Sequence, residues 1–377
     1  MEYKNNHYVP QFIIKKYGNY INLFNLKNNS LHLKQKSSSV FAFENFYSEE
    51  LEKNFNKVES DFSNFLANNF IKNNDKVTIK RKQIWLIKKF LLLQMYRVKS
   101  SKDTISEDLK LGQKIKKIFP DMFDFEEVVF KNETTHQRWE RNLKLFIECD
   151  NLVDLKKHKD KTYESLYWMQ VFNTAYLGFW SSEDSGEDFL LSDIGMVSEN
   201  EIGWNEITNL NNKKSNVVLN LIQQNFSDNE IKKGLAKILT SQTFFHENFM
   251  IFPISKNKII ALINPFYELY ETKMISIENI KLTMVNNIDI FKKNISKYKD
   301  KDFSKKTFLE NDDFIYQIHD LNIKDVIYLN MLILDRTNSY LGIAELSKVR
   351  RSIHCYNKVI GKRFDYSNLA RLIELNI

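Results

Sequence analysis

Two hydrophobic periods alternate along this chain. Residues 20–26 and 31–33 switch between apolar and polar around the turn-forming stretch 27–30, which predicts a β-hairpin. Val40, Phe41, Ala42 and Phe43 add a short strand. The period then lengthens. Ser48 precedes two acids, and Leu51, Phe55, Val58, Phe62, Leu66 and Phe70 recur every three to four residues, predicting a long amphipathic helix. A second long helix is expected over 76–99, with Ile84, Ile87 and Leu91 facing inward and Gln94 and Arg97 extending that stripe. Further helices are expected over 104–119 and over 135–149, the latter carrying Trp139, Leu143 and Phe146. Near Val171 the texture turns to strands at 172–180, 189–193, 249–254 and 258–263, the last two flanking Ser255, Lys256 and Asn257 as an antiparallel pair. Helices over 323–341 and 348–359 close the chain.

This order predicts an α+β fold, helix-rich with a central, mostly antiparallel β-sheet. The expectation is a single large domain over 1–377, with a helical layer over about 48–170, central strands over about 171–265 and C-terminal helices over about 279–377. Composition agrees: hydrophobic residues make up 43% and supply a core, while nine Gly and four Pro are too few for a turn-rich all-β protein. Cys149 and Cys355 stand far apart, which fits a reducing compartment and excludes a cysteine-built zinc site. No apolar run approaches a membrane span or a secretory leader, so the expectation is a soluble, cytoplasmic protein without a membrane partner. The net charge of +7 admits an acidic polymer as partner without requiring one. Oligomeric state is not legible.

Familiar catalytic signatures are missing: there is no Gly-rich phosphate loop, no H-E-x-x-H and no G-x-S-x-G. Polar residues set in apolar surroundings remain. His7 sits in an aromatic opening stretch with Pro10 and Gln11, and Gln11 would share its face one helical turn on. Gln94 and Arg97 continue an apolar stripe, so the guanidinium needs a partner. Asp193 or Glu59 would supply one as a buried ion pair, and an anionic ligand is the alternative. Asp193 follows an apolar strand, where it either presents an acid to a cleft or shapes a turn with Gly195. The pairs His246–Glu247 and His319–Asp320 lack metal-ligand spacing, and Arg350 and Arg351 read as solvated charges.

The arrangement resembles a bacterial family of unknown function, number 4238. The resemblance is carried by the opening His7-Tyr8-Val9-Pro10-Gln11-Phe12, by Phe43-Glu44-Asn45-Phe46-Tyr47 and by the Gln94-x-x-Arg97 helix end. Leu191-Ser192-Asp193, Phe252-Pro253-Ile254-Ser255 and Leu329-Asn330 extend it, so that it spans about 6–341. Where the family has Asp-Asn-Pro, this chain has Asp193-Ile194-Gly195. The resemblance implies that His7, Gln11, Gln94, Arg97, Asp193 and Asn330 form one constellation, and it supplies no reaction. Two functions are carried forward. In one, His7, Asp193 and Arg97 are catalytic in hydrolysis of nucleic acid or nucleotides, with a divalent metal admitted, in a phage-defence type of role. In the other, a non-catalytic sensor holds a ligand or nucleic acid through Arg97, Gln11, Gln94 and Asn330. A third option is a buried network that fixes the opening segment against the helices.

Overall fold

The computed structural model describes residues 5–44, 46–73, 75–98, 133–199, 249–263, 313–359 and 362–376. In chain order these form β1 (Asn5–His7), α1 (Gln11–Ile14), β2 (Tyr20–Asn25), β3 (Ser30–Lys36), β4 (Ala42–Glu44), α2 (Glu49–Phe65), β5 (Lys76–Lys80), α3 (Arg81–Arg97), α4 (Thr135–Glu148), α5 (Leu152–Lys157) and α6 (Tyr163–Thr174). There follow β6 (Tyr176–Ser181), β7 (Leu191–Ser192), β8 (Val197–Glu199), β9 (Phe249–Ser255), β10 (Lys258–Ile263), β11 (Asp313–Asp320), α7 (Ile323–Arg336), β12 (Tyr340–Ile343), α8 (Arg350–Asn357) and α9 (Ser367–Asn376). The fold is α+β, as expected.

The central sheet has six strands in the order β5-β11-β6-β10-β9-β8. All its pairings are antiparallel except β11 with β6. Every residue of β9 and β10 is buried, the signature of strands covered on both faces. Their side chains divide by parity. Phe252, Ile254, Ile260 and Leu262 enter a core shared with α2, α3, α4 and α6. Ile251, Ile259, Ala261 and Ile263 enter a second core with α7, α8 and α9. The described chain is therefore three layers, helix–sheet–helix. A four-stranded antiparallel sheet, β3-β2-β12-β7, lies beside them, and β1 pairs with β4.

Four expected elements are corrected. Residues 76–99 are not one helix: Val77 and Ile79 are buried between exposed Lys76, Thr78 and Lys80, so the first five residues form an edge strand paired with β11. The stretch 172–180 is the end of α6 followed by β6. The helix expected over 323–341 stops at Arg336, and Tyr340 already belongs to β12. Past residue 341 the chain adds α9 beyond the two expected helices, and a 3-10 turn at Leu346–Val349 leads into α8. The helix expected over 104–119 and the pair His246–Glu247 lie outside the described residues. Among the described residues no helix is long and apolar enough to cross a membrane.

Candidate functional site

The opening motif is wedged between β4 and the helices. Its first buried side chain, Asn6, accepts from the Phe46 amide at 2.7 Å and donates to Glu52 Oε2 at 3.2 Å, which ties β1 to the first turn of α2. His7 ends β1 opposite Ala42. Tyr8 turns inward and stacks on Phe43, with ring centres 5.1 Å apart. Pro10 then stands at the N-cap of α1, where its missing N–H costs nothing. Its carbonyl accepts from the Ile13 and Ile14 amides. His7 and Gln11 therefore do not share a helix face as expected. The turn at Tyr8–Pro10 nevertheless brings both to one cavity.

That cavity has a volume of about 370 Å³. His7, Gln11 and Phe12 form one wall. Glu52, Asn56, Glu59, Ser60, Ser63 and Asn64 form the other. These six come from α2 and lie on its polar stripe, alongside the apolar seam of Leu51, Phe55, Val58 and Phe62 that packs into the core. Periodicity exposes the seam at once. The polar stripe beside it looks like solvated surface until the opening motif is laid across it. The one hint in the sequence was Glu59, already a candidate partner for Arg97.

The imidazole is oriented by the backbone. Nε2 lies 3.2 Å from the Ser38 carbonyl oxygen and must be the protonated nitrogen, which leaves Nδ1 as an acceptor. Burial pushes the His7 pKa below its ordinary value, opposed by the Ser38 bond and the Glu59 carboxylate and assisted by Arg97 and Lys15. At neutral pH the ring is uncharged.

Behind Glu59 lies Arg97, almost completely buried. Its Nη1 pairs with Glu59 Oε1, its Nε donates to Gln94 Oε1 at 3.1 Å, and the guanidinium lies 5.1 Å from the centre of the Phe55 ring. Burial opposes the charge, and the Glu59 carboxylate together with Tyr47 and Glu52 more than offsets it. The partner required of Arg97 is thus Glu59, one of the two acids expected. Gln94 completes the relay by donating to the Tyr8 carbonyl at 3.1 Å.

Asp193 and Asn330 sit elsewhere. Asp193 accepts from the backbone amides of Asn338, Ser339 and Tyr340 at 3.0, 2.8 and 3.2 Å. Burial pushes its carboxyl up, against these three donors. It binds the turn before β12, and it does not line the cavity. The following Gly195, at φ +64°, packs on Gln94 so closely that a Cβ would collide with the amide nitrogen. Asn330 is fully buried and spends its amide on the Leu190 N–H, the Asp188 carbonyl and Ser352 Oγ. The Leu190 carbonyl in turn accepts from Tyr17 Oη at 3.4 Å.

The six residues thus belong to one connected scaffold with distinct positions. His7 and Gln11 face the cavity, Gln94 braces the opening motif and Arg97 the α2 wall, Asp193 ties down the turn before β12, and Asn330 ties residues 188–190 to α7 and α8. Among the described residues no group of three or more His, Cys, Asp or Glu side chains is placed to share a metal ion. No curated protein and no solved structure matches the chain. A family model described as "Protein of unknown function (DUF4238)" matches residues 5–341, which include both the cavity and the scaffold behind it, and the chain belongs to that family.

Proposed function

We propose that this chain is a non-catalytic binding module that recognises a small polar ligand in the cavity between its opening motif and α2. The observation that carries this reading is the make-up of the cavity: amides, hydroxyls, an imidazole and two carboxylates converge on a space of about 370 Å³, within the usual range of ligand pockets. The network behind it supports the same reading, because Asn6, Gln94 and Arg97 are all buried and hydrogen-bonded and so hold the lining in a fixed geometry.

The hydrolase reading keeps one specific support. His7 has a defined tautomer, an open Nδ1 and a lowered pKa, the properties of a general base. In that reading the substrate is a nucleotide or nucleic acid, and Asp193, whose oxygens are engaged by backbone donors, acts only by positioning.

The test compares the parent with Ser63→Phe, which fills the cavity from α2, and with His7→Asn. Thermal unfolding is followed against a panel of amines, polyols, nucleosides and nucleotides, with product formation assayed on the same samples. A binding module gives ligand shifts in the parent and in His7→Asn that disappear in Ser63→Phe, without turnover. Turnover lost in His7→Asn would instead establish the enzyme. Shifts that survive Ser63→Phe would remove the cavity from consideration.

A further inference from the structure

We propose that the hairpin β2–β3, together with Arg371 on the adjoining α9, binds the phosphate backbone of a nucleic acid, at a surface separate from the cavity. The sequence sets the charge. Residues 5–43 carry five Lys and no Asp or Glu, and residues 346–364 carry six Lys and Arg and again no acid. These eleven cations account for the whole net charge of +7, because the rest of the chain holds 44 Lys and Arg against 48 Asp and Glu. A lysine-rich composition adds cations evenly along a chain. It does not clear the acids from 39 successive residues.

The fold brings the two stretches side by side. α9 packs on β3, and Tyr366 meets Phe24 of β2 with ring centres 5.9 Å apart. A row of contacts then runs along α9. Asn368 donates to the Asn29 carbonyl at 2.7 Å, Arg371 donates to Asn368 Oδ1 at 3.0 Å, and Glu374 pairs with Arg350 of α8 at 3.3 Å. Asn368 and Glu374 are about 9 Å apart along the helix axis, so the hairpin turn and the start of α8 border one surface.

The C-terminal cations are partly spent. Glu374 answers Arg350, Asp365 lies 3.8 Å from Lys362, and the buried Glu187 and Asp188 act on Arg351 and Lys348. The hairpin differs. Lys27, Lys34 and Lys36 are exposed, as is Arg371, and none of the four has an acid in contact among the described residues. No residue of β3 is buried, and β3 is the outer strand of its sheet, so its lysines stand along an open edge. Tyr20 is 56% exposed and stands opposite Lys36, which sets an aromatic face for a base beside a cation for its phosphate. A row of unspent cations with an aromatic among them matches a polyphosphate chain. A lipid surface fits less well, because α8 and α9 spend their apolar faces on the second core.

The test is fluorescence anisotropy of the full chain with single-stranded DNA, duplex DNA and RNA of mixed sequence, at about 50 and 200 mM salt. The parent is expected to bind at least one of them at the lower salt and to weaken at the higher. Lys34→Gln with Lys36→Gln should weaken binding about tenfold at the lower salt and flatten its salt dependence by about two counterions, and Arg371→Gln by about one. Lys156→Gln with Lys157→Gln, the same charge change on exposed positions of α5, should stay near the parent. Equal loss in the α5 pair would reduce the effect to net charge and overturn the surface. Parental affinity in the β3 pair would overturn it too, and aggregation of that pair would then mark its lysines as guards of an open sheet edge. Binding of phosphatidylserine vesicles in place of nucleic acid, or no binding of any nucleic acid at the lower salt, would equally end the proposal.

Discussion

At the scale of single residues, Arg97 shows how a buried charge is made tolerable. Its guanidinium is compensated by one carboxylate, one amide and one aromatic face. Removing the carboxylate leaves a stranded cation, so Glu59→Ala should cost about 3–5 kcal/mol in urea unfolding. Glu59→Ala combined with Arg97→Met should recover most of that loss. If the double variant is as unstable as the single one, the ion pair is not the source of the cost. His7 gives a pH prediction. Its folded pKa lies below 6.5 while the unfolded chain keeps the ordinary value, so the unfolded state takes up the proton first. Stability from this group is complete above about pH 6.5 and is lost as pH falls through the folded pKa. In His7→Asn that acid loss of stability, followed by urea unfolding between pH 7.5 and 5.5, should shrink. The sequence made His7, Gln11 and Arg97 visible because each is polar among apolar neighbours. Asn56, Ser60 and Ser63 stayed hidden because a polar residue on a helix's polar side carries no such contrast.

At the scale of elements, the boundaries that periodicity missed are those set by distant groups. The pattern of α7 runs on past Arg336, but the Asp193 carboxylate gathers the amides of Asn338, Ser339 and Tyr340 and draws the chain into β12. No local signal at 336 encodes an acid some 140 residues earlier. By contrast, β5 was legible: Lys-Val-Thr-Ile-Lys alternates strictly, and only its continuity with the helix hid it. The join between α3 and α6 rests on Lys88, whose Nζ donates to the carbonyls of Asn173 and Ala175 at the end of α6. Burial pushes its pKa down to about 7. Between pH 7 and the unfolded value near 10.5 the unfolded chain holds the extra proton, so this group makes the protein more stable as pH rises across that range. Lys88→Met should abolish that rise. It should also cost about 1–3 kcal/mol at neutral pH, by leaving two terminal carbonyls without their donor. A flat profile in the parent between pH 7 and 10 would refute the assignment.

At the scale of the molecule, a helix-rich α+β fold with a central, mostly antiparallel sheet was anticipated, but the stacking of that sheet between two helical layers was not. Nor was their closure, because it depends on contacts between residues far apart in sequence. The hairpin β2–β3 joins β12, with Asn25 opposite Tyr340, and the opening motif is held by Gln94 on Tyr8 and by Tyr17 on Leu190. This wiring has a temporal consequence. The opening segment and the hairpin after it are synthesised well before their partners near 190 and 340. The opening segment therefore waits for most of the chain, and long-range closure of this kind is slow. A ligand in the finished cavity ties the opening motif to α2 and should raise the unfolding transition by about 2.7 kcal/mol at a hundredfold excess over Kd.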